Sequence, residues 1–166
     1  RSGDEVPDVF ATLIEGTWPS YSGSKQILID GRSGVILWSQ STNGIAMSTP
    51  LAVDINSDGR DEVIIPINQT LGDATAWRTM SLRLYVLNTT SYALHPWGEA
   101  FDSGSASTPW IGDIDGNGQL DLVIANSPYY ERGTIWQVRR YSLGWPTPPR
   151  ISWGAYLGTN LNGTFP

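Results

Sequence analysis

The chain has no cysteine and a single histidine in 166 residues. Disulfides, thiolate metal sites and cysteine nucleophiles are therefore excluded. His95 stands without a companion base and nucleophile, so it reads as structural and no catalytic role is expected. No apolar run approaches the about 18 residues that a bilayer-spanning helix needs, so no membrane insertion is expected. A sustained 3.6-residue period is missing too, which predicts little or no helix. Basic residues are few: 10 Lys and Arg against 16 Asp and Glu leave a net charge of −6. A phosphate backbone wants the opposite sign, so no nucleic-acid partner is expected.

What is present is turn-forming and aromatic: 18 glycines, 11 prolines and 8 tryptophans. Apolar stretches are short and bounded by Gly, Pro, Asn, Asp or Ser, the pattern of many short strands joined by tight turns. Hydrophobic content of 40% against 16% charged is globular composition, enough for one domain over residues 1–166.

The acids are not spread evenly. "DINSDGRDE" begins at Asp54 and "DIDGNGQLD" begins at Asp113, and each places acids at its first and ninth positions with a glycine at the sixth. These stretches sit in a longer repeat, "STPLAVDINSDGRDEVII" from Ser48 and "STPWIGDIDGNGQLDLVI" from Ser107. A partial copy, "SWGAYLGTNLNGTFP", starts at Ser152. A truncated one, "SGDEVPDVFATL", puts Asp4 and Asp8 at the places of Asp58 and Glu62. The approximate units are 1–47, 48–106, 107–151 and 152–166. Between the landmarks, "KQILIDGRSGVILW", "LRLYVLNTTSYAL" and, more loosely, "GTIWQVRRYSLGW" each read as strand, polar turn, strand. A strand before the acidic loop, one after it and a hairpin give four antiparallel strands per unit. That is the signature of propeller blades, here about three in an incomplete ring, so the expected fold is all-β.

A hard cation such as Ca²⁺ takes six to eight oxygens from carboxylates, amides and carbonyls. Asp54, Asn56 and Asp58 alternate before the Gly59 turn, after which the Arg60 carbonyl and Glu62 close a shell. Asp113, Asp115, Asn117, the Gln119 carbonyl and Asp121 repeat it around Gly118. An EF-hand is excluded, because its closing Glu falls at position twelve, where these loops have Ile65 and Ile124. Asp, Asn and Gly also favour turns, yet turn preference alone does not account for two loops in the same register. The partial copy keeps only Asn160 and Asn162. The expectation is two Ca²⁺ sites.

The D-x-[DN]-x-[DN]-G-x-x-[DE] loop running into an apolar strand resembles the FG-GAP (VCBS-like) repeats of integrin α-type propellers. The resemblance implies calcium held between the first two strands of a blade in a structural role, without the Phe-Gly and Gly-Ala-Pro signatures. Three sequons, at Asn68, Asn88 and Asn162, point to a glycosylated protein that is secreted or at the cell surface. Rings of this kind take about four to eight blades. Further copies of the chain or further blades of a longer one are therefore the expected partners, with "RSGDEVPDVF" and "GTNLNGTFP" as contact segments and a filament as one outcome.

Trp38, Trp110 and Trp136 are expected to fill cores between blades. Trp97, Trp145 and Trp153, set among prolines and glycines, are the candidate carbohydrate contacts, and a lectin-like segment is the alternative reading. A fragment of a propeller enzyme is a further alternative. "GWPTPPR" (144–150) reads as a rigid loop and candidate interface.

Overall fold

Period-two alternation and turn chemistry produce ten strands in the computed structural model, which describes residues 6–17, 20–70, 80–101, 103–127, 136–155 and Asn160. They are β1 (Val9–Thr17), β2 (Ser20–Ile29), β3 (Ile36–Thr42), β4 (Leu51–Val53), β5 (Glu62–Thr70), β6 (Met80–Asn88), β7 (Ala93–Phe101), β8 (Trp110–Gly112), β9 (Gln119–Asn126) and β10 (Gln137–Pro146). There is no helix among the described residues. Every strand pair is antiparallel. The sheets run β1-β2-β3, β4-β5-β6-β7 and β10-β9-β8.

The four-stranded sheet realises the expected unit: a short strand before the acidic loop, a long one after it, then a hairpin. The first sheet has the strand following its loop and the hairpin. The "DGRSG" turn of that hairpin is tied by Asp30, whose Oδ1 accepts from the Ser33 N–H (2.6 Å) and hydroxyl (2.6 Å). In the third sheet, "GTIWQVRRYSLGW" departs from the expected strand–turn–strand. Residues 137–146 form one strand, because Gly144, at φ +70°, bends it into an irregularity between Ser142 and Pro146 instead of reversing it.

Strand β5 shows how the sheets are stacked. Val63, Ile65 and Ile67 join Ala46 and Leu87 in one buried cluster, against which Phe10 of β1 and Trp38 of β3 pack. Ile64, on the opposite face, joins Leu51, Val53 and Leu84 in a second cluster with Ile111, Leu120, Leu122 and Leu143 of the third unit. The central sheet is thus covered on both faces, one by each neighbour. Strand β4 pairs on its second edge with Trp153, through Ala52 (3.0 and 2.9 Å), and the Gly154 carbonyl accepts the Ile111 N–H of β8 (2.8 Å). One segment after β10 therefore satisfies backbone groups of both short strands, as buried polar groups require.

Of the tryptophans expected in cores, Trp38 is half-buried and serves so. Trp110 and Trp136 do not: they are exposed, because they lie on the outer face of the third sheet. Conversely, Trp97 and Trp145 are half-buried against the second cluster, with ring centroids 5.3 Å apart. Trp153 is half-buried beside Val9, Phe10, Pro50 and Leu51. Asp4, Asn162 and most of the two expected contact segments lie outside the described residues.

Removing the Ile64 side chain, which is fully buried between two sheets, leaves a cavity. Ile64→Ala is expected to lower unfolding free energy by about 3 kcal/mol, read by chemical denaturation.

Candidate metal centre

The two acidic loops have the same backbone path. Ser57 (φ +60°) and Gly59 (φ +86°) take left-handed conformations in the first, and Gly116 (+73°) and Gly118 (+80°) take them at the matching places in the second. Asparagine, aspartate and glycine tolerate this region best, so Ser57 is held by its surroundings.

Four hydrogen bonds recur between the loops. Asp54 Oδ1 accepts the Asp58 N–H (3.1 Å) and Oδ2 the Gly59 N–H (2.9 Å). Asp113 likewise accepts from Asn117 (3.0 Å) and Gly118 (2.8 Å). The Arg60 N–H donates to Asp58 Oδ1 (2.9 Å), as Gln119 does to Asn117 Oδ1 (2.8 Å). Finally the Ile55 N–H donates to Glu62 Oε2 (3.1 Å), and Ile114 to Asp121 Oδ2 (3.2 Å). The first acid curls the loop, and the ninth ties its start to the following strand.

These ninth-position acids are buried: Glu62 is 1% exposed and Asp121 0%. Each meets a different donor. Around Glu62, the Asn56 amide nitrogen donates to Oε1 (2.9 Å) and reaches Asp58 (3.3 Å), while Asn88 donates from the hairpin turn (3.3 Å). Thr90 of the same turn donates to Asp58 Oδ2 (3.0 Å). Burial, then the nearby carboxylates of Asp58, Asp54 and Asp61, push Glu62 up to about 7 against the opposing Ile55 N–H. Asp58 is held below its ordinary range, first by the Arg60 N–H.

The second loop contains a charge instead. The Arg140 guanidinium, from β10, lies between Asp115 and Asp121. Its Nη2 contacts Asp115, and its Nε stands 2.9 Å from Asp121 Oδ1, an oxygen with no hydrogen-bond partner. Asp121 first, then Asp115, raises the arginine's pKa, and Arg140 lowers that of Asp115. Carboxylate oxygens of Asp113, Asp115 and Asp121 all lie within 4.8 Å of one another. Oxygens on opposite sides of a calcium ion are about 5 Å apart, so this donor set fits a hard cation in size and chemistry. Among the described residues it is the one acidic group so clustered. In the first loop, Asp54, Asp58 and Glu62 stand further apart around the Asn56 amide.

Sequence reading missed Arg140, Asn88 and Thr90, which come from other strands and turns and carry no spacing signal. "GWPTPPR" turns inward to the loops: the Thr147 N–H donates to the Gly118 carbonyl (2.9 Å), and just beyond it the Ser152 hydroxyl donates to Asp61 (2.8 Å). Asn68 is corrected as a glycan acceptor. It is 3% exposed, and its amide donates to the Ser105 carbonyl (2.7 Å) and accepts the Ser105 N–H (2.8 Å), leaving no room for a sugar. The Asn88 amide nitrogen faces Glu62. His95 is exposed on β7 opposite Val86. No protein-family model, curated protein or solved structure matches the chain.

Two outcomes follow for the metal-free protein. A carboxyl raised from 4.5 to about 7 on folding makes the folded state hold more protons, so the Glu62 contribution to stability is fully present below pH 4.5 and is lost as pH rises through 7. The Glu62 contribution is as much as about 3 kcal/mol, and Glu62→Gln is expected to remove that slope in denaturation at several pH values. Arg140→Val leaves buried Asp121 without a cation and is expected to lower stability in EDTA, read by chemical denaturation.

Proposed function

We propose that the chain is a calcium-braced module of propeller-type blades that serves extracellular structural assembly or adhesion. The observation that carries the reading is the recurrence of the loop, bond for bond, at two places that lead into the buried strands β5 and β9. Turn preference explains a bend. It does not explain carboxylates brought within 4.8 Å of one another beside the core. The four-stranded sheet with a neighbour on each face, and the FG-GAP-like loop, support the blade reading.

Asp54, Asn56, Asp58, Glu62 and the Arg60 carbonyl would hold one ion. Asp113, Asp115, Asn117, Asp121 and the Gln119 carbonyl would hold the other. A bound divalent cation supplies the positive charge that the buried acids lack. In the first loop Glu62 would bind it as the carboxylate, without its proton. In the second Arg140, whose side chain is 39% exposed, would give up its place beside Asp115 and Asp121 and turn to solvent. The protein's own part is to pre-form the loops with backbone N–H groups, so that little order is lost on binding. Metal-driven folding and proton release are coupled in such sites.

Loops of this kind without a long cage suit the weak affinities of extracellular modules, about 10⁻⁴ to 10⁻³ M. The proposal places the module outside the cell, where calcium would be abundant enough to fill such sites, with Asn88 and Asn162 as the remaining sequons. The acids are used as ligands, and the reading assigns no catalytic residue.

At about 1 mM Ca²⁺ and a Kd near 10⁻⁴ M, each site adds roughly 1.4 kcal/mol. EDTA is expected to lower Tm by about 5 to 10 °C in scanning calorimetry, and Asp113→Ala to remove about half of that calcium-dependent shift. A melt indifferent to EDTA would overturn the reading.

A further inference from the structure

Among the described residues, the two outer faces of the stack are apolar and have no neighbour. On the third sheet, Trp110 (36% exposed) and Val138 (76%) point away from the central sheet, and Ile114 and Trp136, outside the strands, are exposed too. These are the repeat equivalents of a buried surface. Trp110 stands 59 residues after Leu51, the spacing at which Thr49 and Thr108 meet, and Leu51 is 0% exposed. In the same register Ile114 corresponds to Ile55, which packs on the central sheet's own cluster. On the first sheet, Val9 and Leu13 (each 52%) hold in β1 the places that buried Val63 and Ile67 hold in β5, and Ile36 projects beside them from β3.

We infer that the outer face of the β8–β9–β10 sheet docks on the outer face of the β1–β2–β3 sheet of a second copy, head to tail. This names the partner for the assembly part of the reading above and rests on it. The chain already makes this type of contact twice. A face of the Leu51 and Ile64 kind meets the third sheet, and a face of the Val63 and Ile67 kind meets the first. The exposed faces are the unused halves of that same interface, one of each kind, so a second copy supplies what each lacks. The arrangement is heterologous, since neither face meets its own kind, and it propagates unless it closes. Arg140, on the docking face beside Val138, is paired with Asp115 and Asp121 in the metal-free protein, and Lys25 and Glu15 lie on the side of the first sheet that carries Leu13.

The test uses the full chain in calcium, with mass measured by sedimentation velocity across micromolar concentrations. Wild type is expected to show a series of species whose mean mass rises with concentration. Val138→Glu and Leu13→Glu each alter an exposed residue and leave the fold intact by circular dichroism, yet each weakens self-association by at least about tenfold. Mixed, they form a one-to-one dimer, because each retains the face the other has lost. A wild type that stays monomeric, a Leu13→Glu protein that still self-associates, or a mixture that does not pair overturns the proposal. The calcium-dependent melting shift of the same two variants tests the metal reading separately, because it does not depend on whether copies associate.

Discussion

A carboxylate with almost no contact with water stands at the start of each of the two strands that carry the core. Glu62 opens β5 and Asp121 lies near the start of β9. An isolated buried charge is costly enough that a protein must neutralise it, pair it or surround it with donors. Much of the surrounding structure answers this need. The loop curls so that the Ile55 and Ile114 N–H groups reach these acids, the β6–β7 turn delivers Asn88, and β10 delivers Arg140. One motif has therefore been met with two solutions, an uncharged one in the first loop and a cationic one in the second.

The motif, its period and the four-strand unit were legible because each rests on local rules. Alternation along "EVIIPIN" marks a strand, and acids in register after Ser-Thr-Pro mark a repeated loop. What escaped notice depends on pairing across strands. Nothing local marks Arg140; antiparallel register with Val123 brings its side chain to Asp121. "NTT" at 88–90 reads as a sequon, and nothing in its spacing tells that Asn88 and Thr90 also donate to loop acids. Asn68 looked like another, but the segment after β7 places Ser105 against its amide. Trp136 was assigned to a core because it is large, but size does not say which face of a sheet has a neighbour.

Stacking explains the division between buried and exposed positions better than composition does. The same residue types are fully buried in the central sheet and exposed on the outer faces of the other two, because each described sheet is covered only where another lies against it. Polar ties accompany the apolar ones. Thr49 and Thr108 share a hydrogen bond (3.1 Å), and the segment around Trp153 bonds to both short strands. These contacts hold neighbouring units in one relative register where side-chain packing alone permits sliding.

The tilted pair of Trp97 and Trp145 joins β7 of the central sheet to β10 of the third, at 5.3 Å and 58°. Two indoles so close and so inclined share their electronic excitations, which gives an optical couplet whose sign and strength follow their mutual orientation. The molecule thereby contains its own spectroscopic gauge of how two sheets are seated. That gauge is independent of backbone signals and responds when the sheets part even if every strand remains intact.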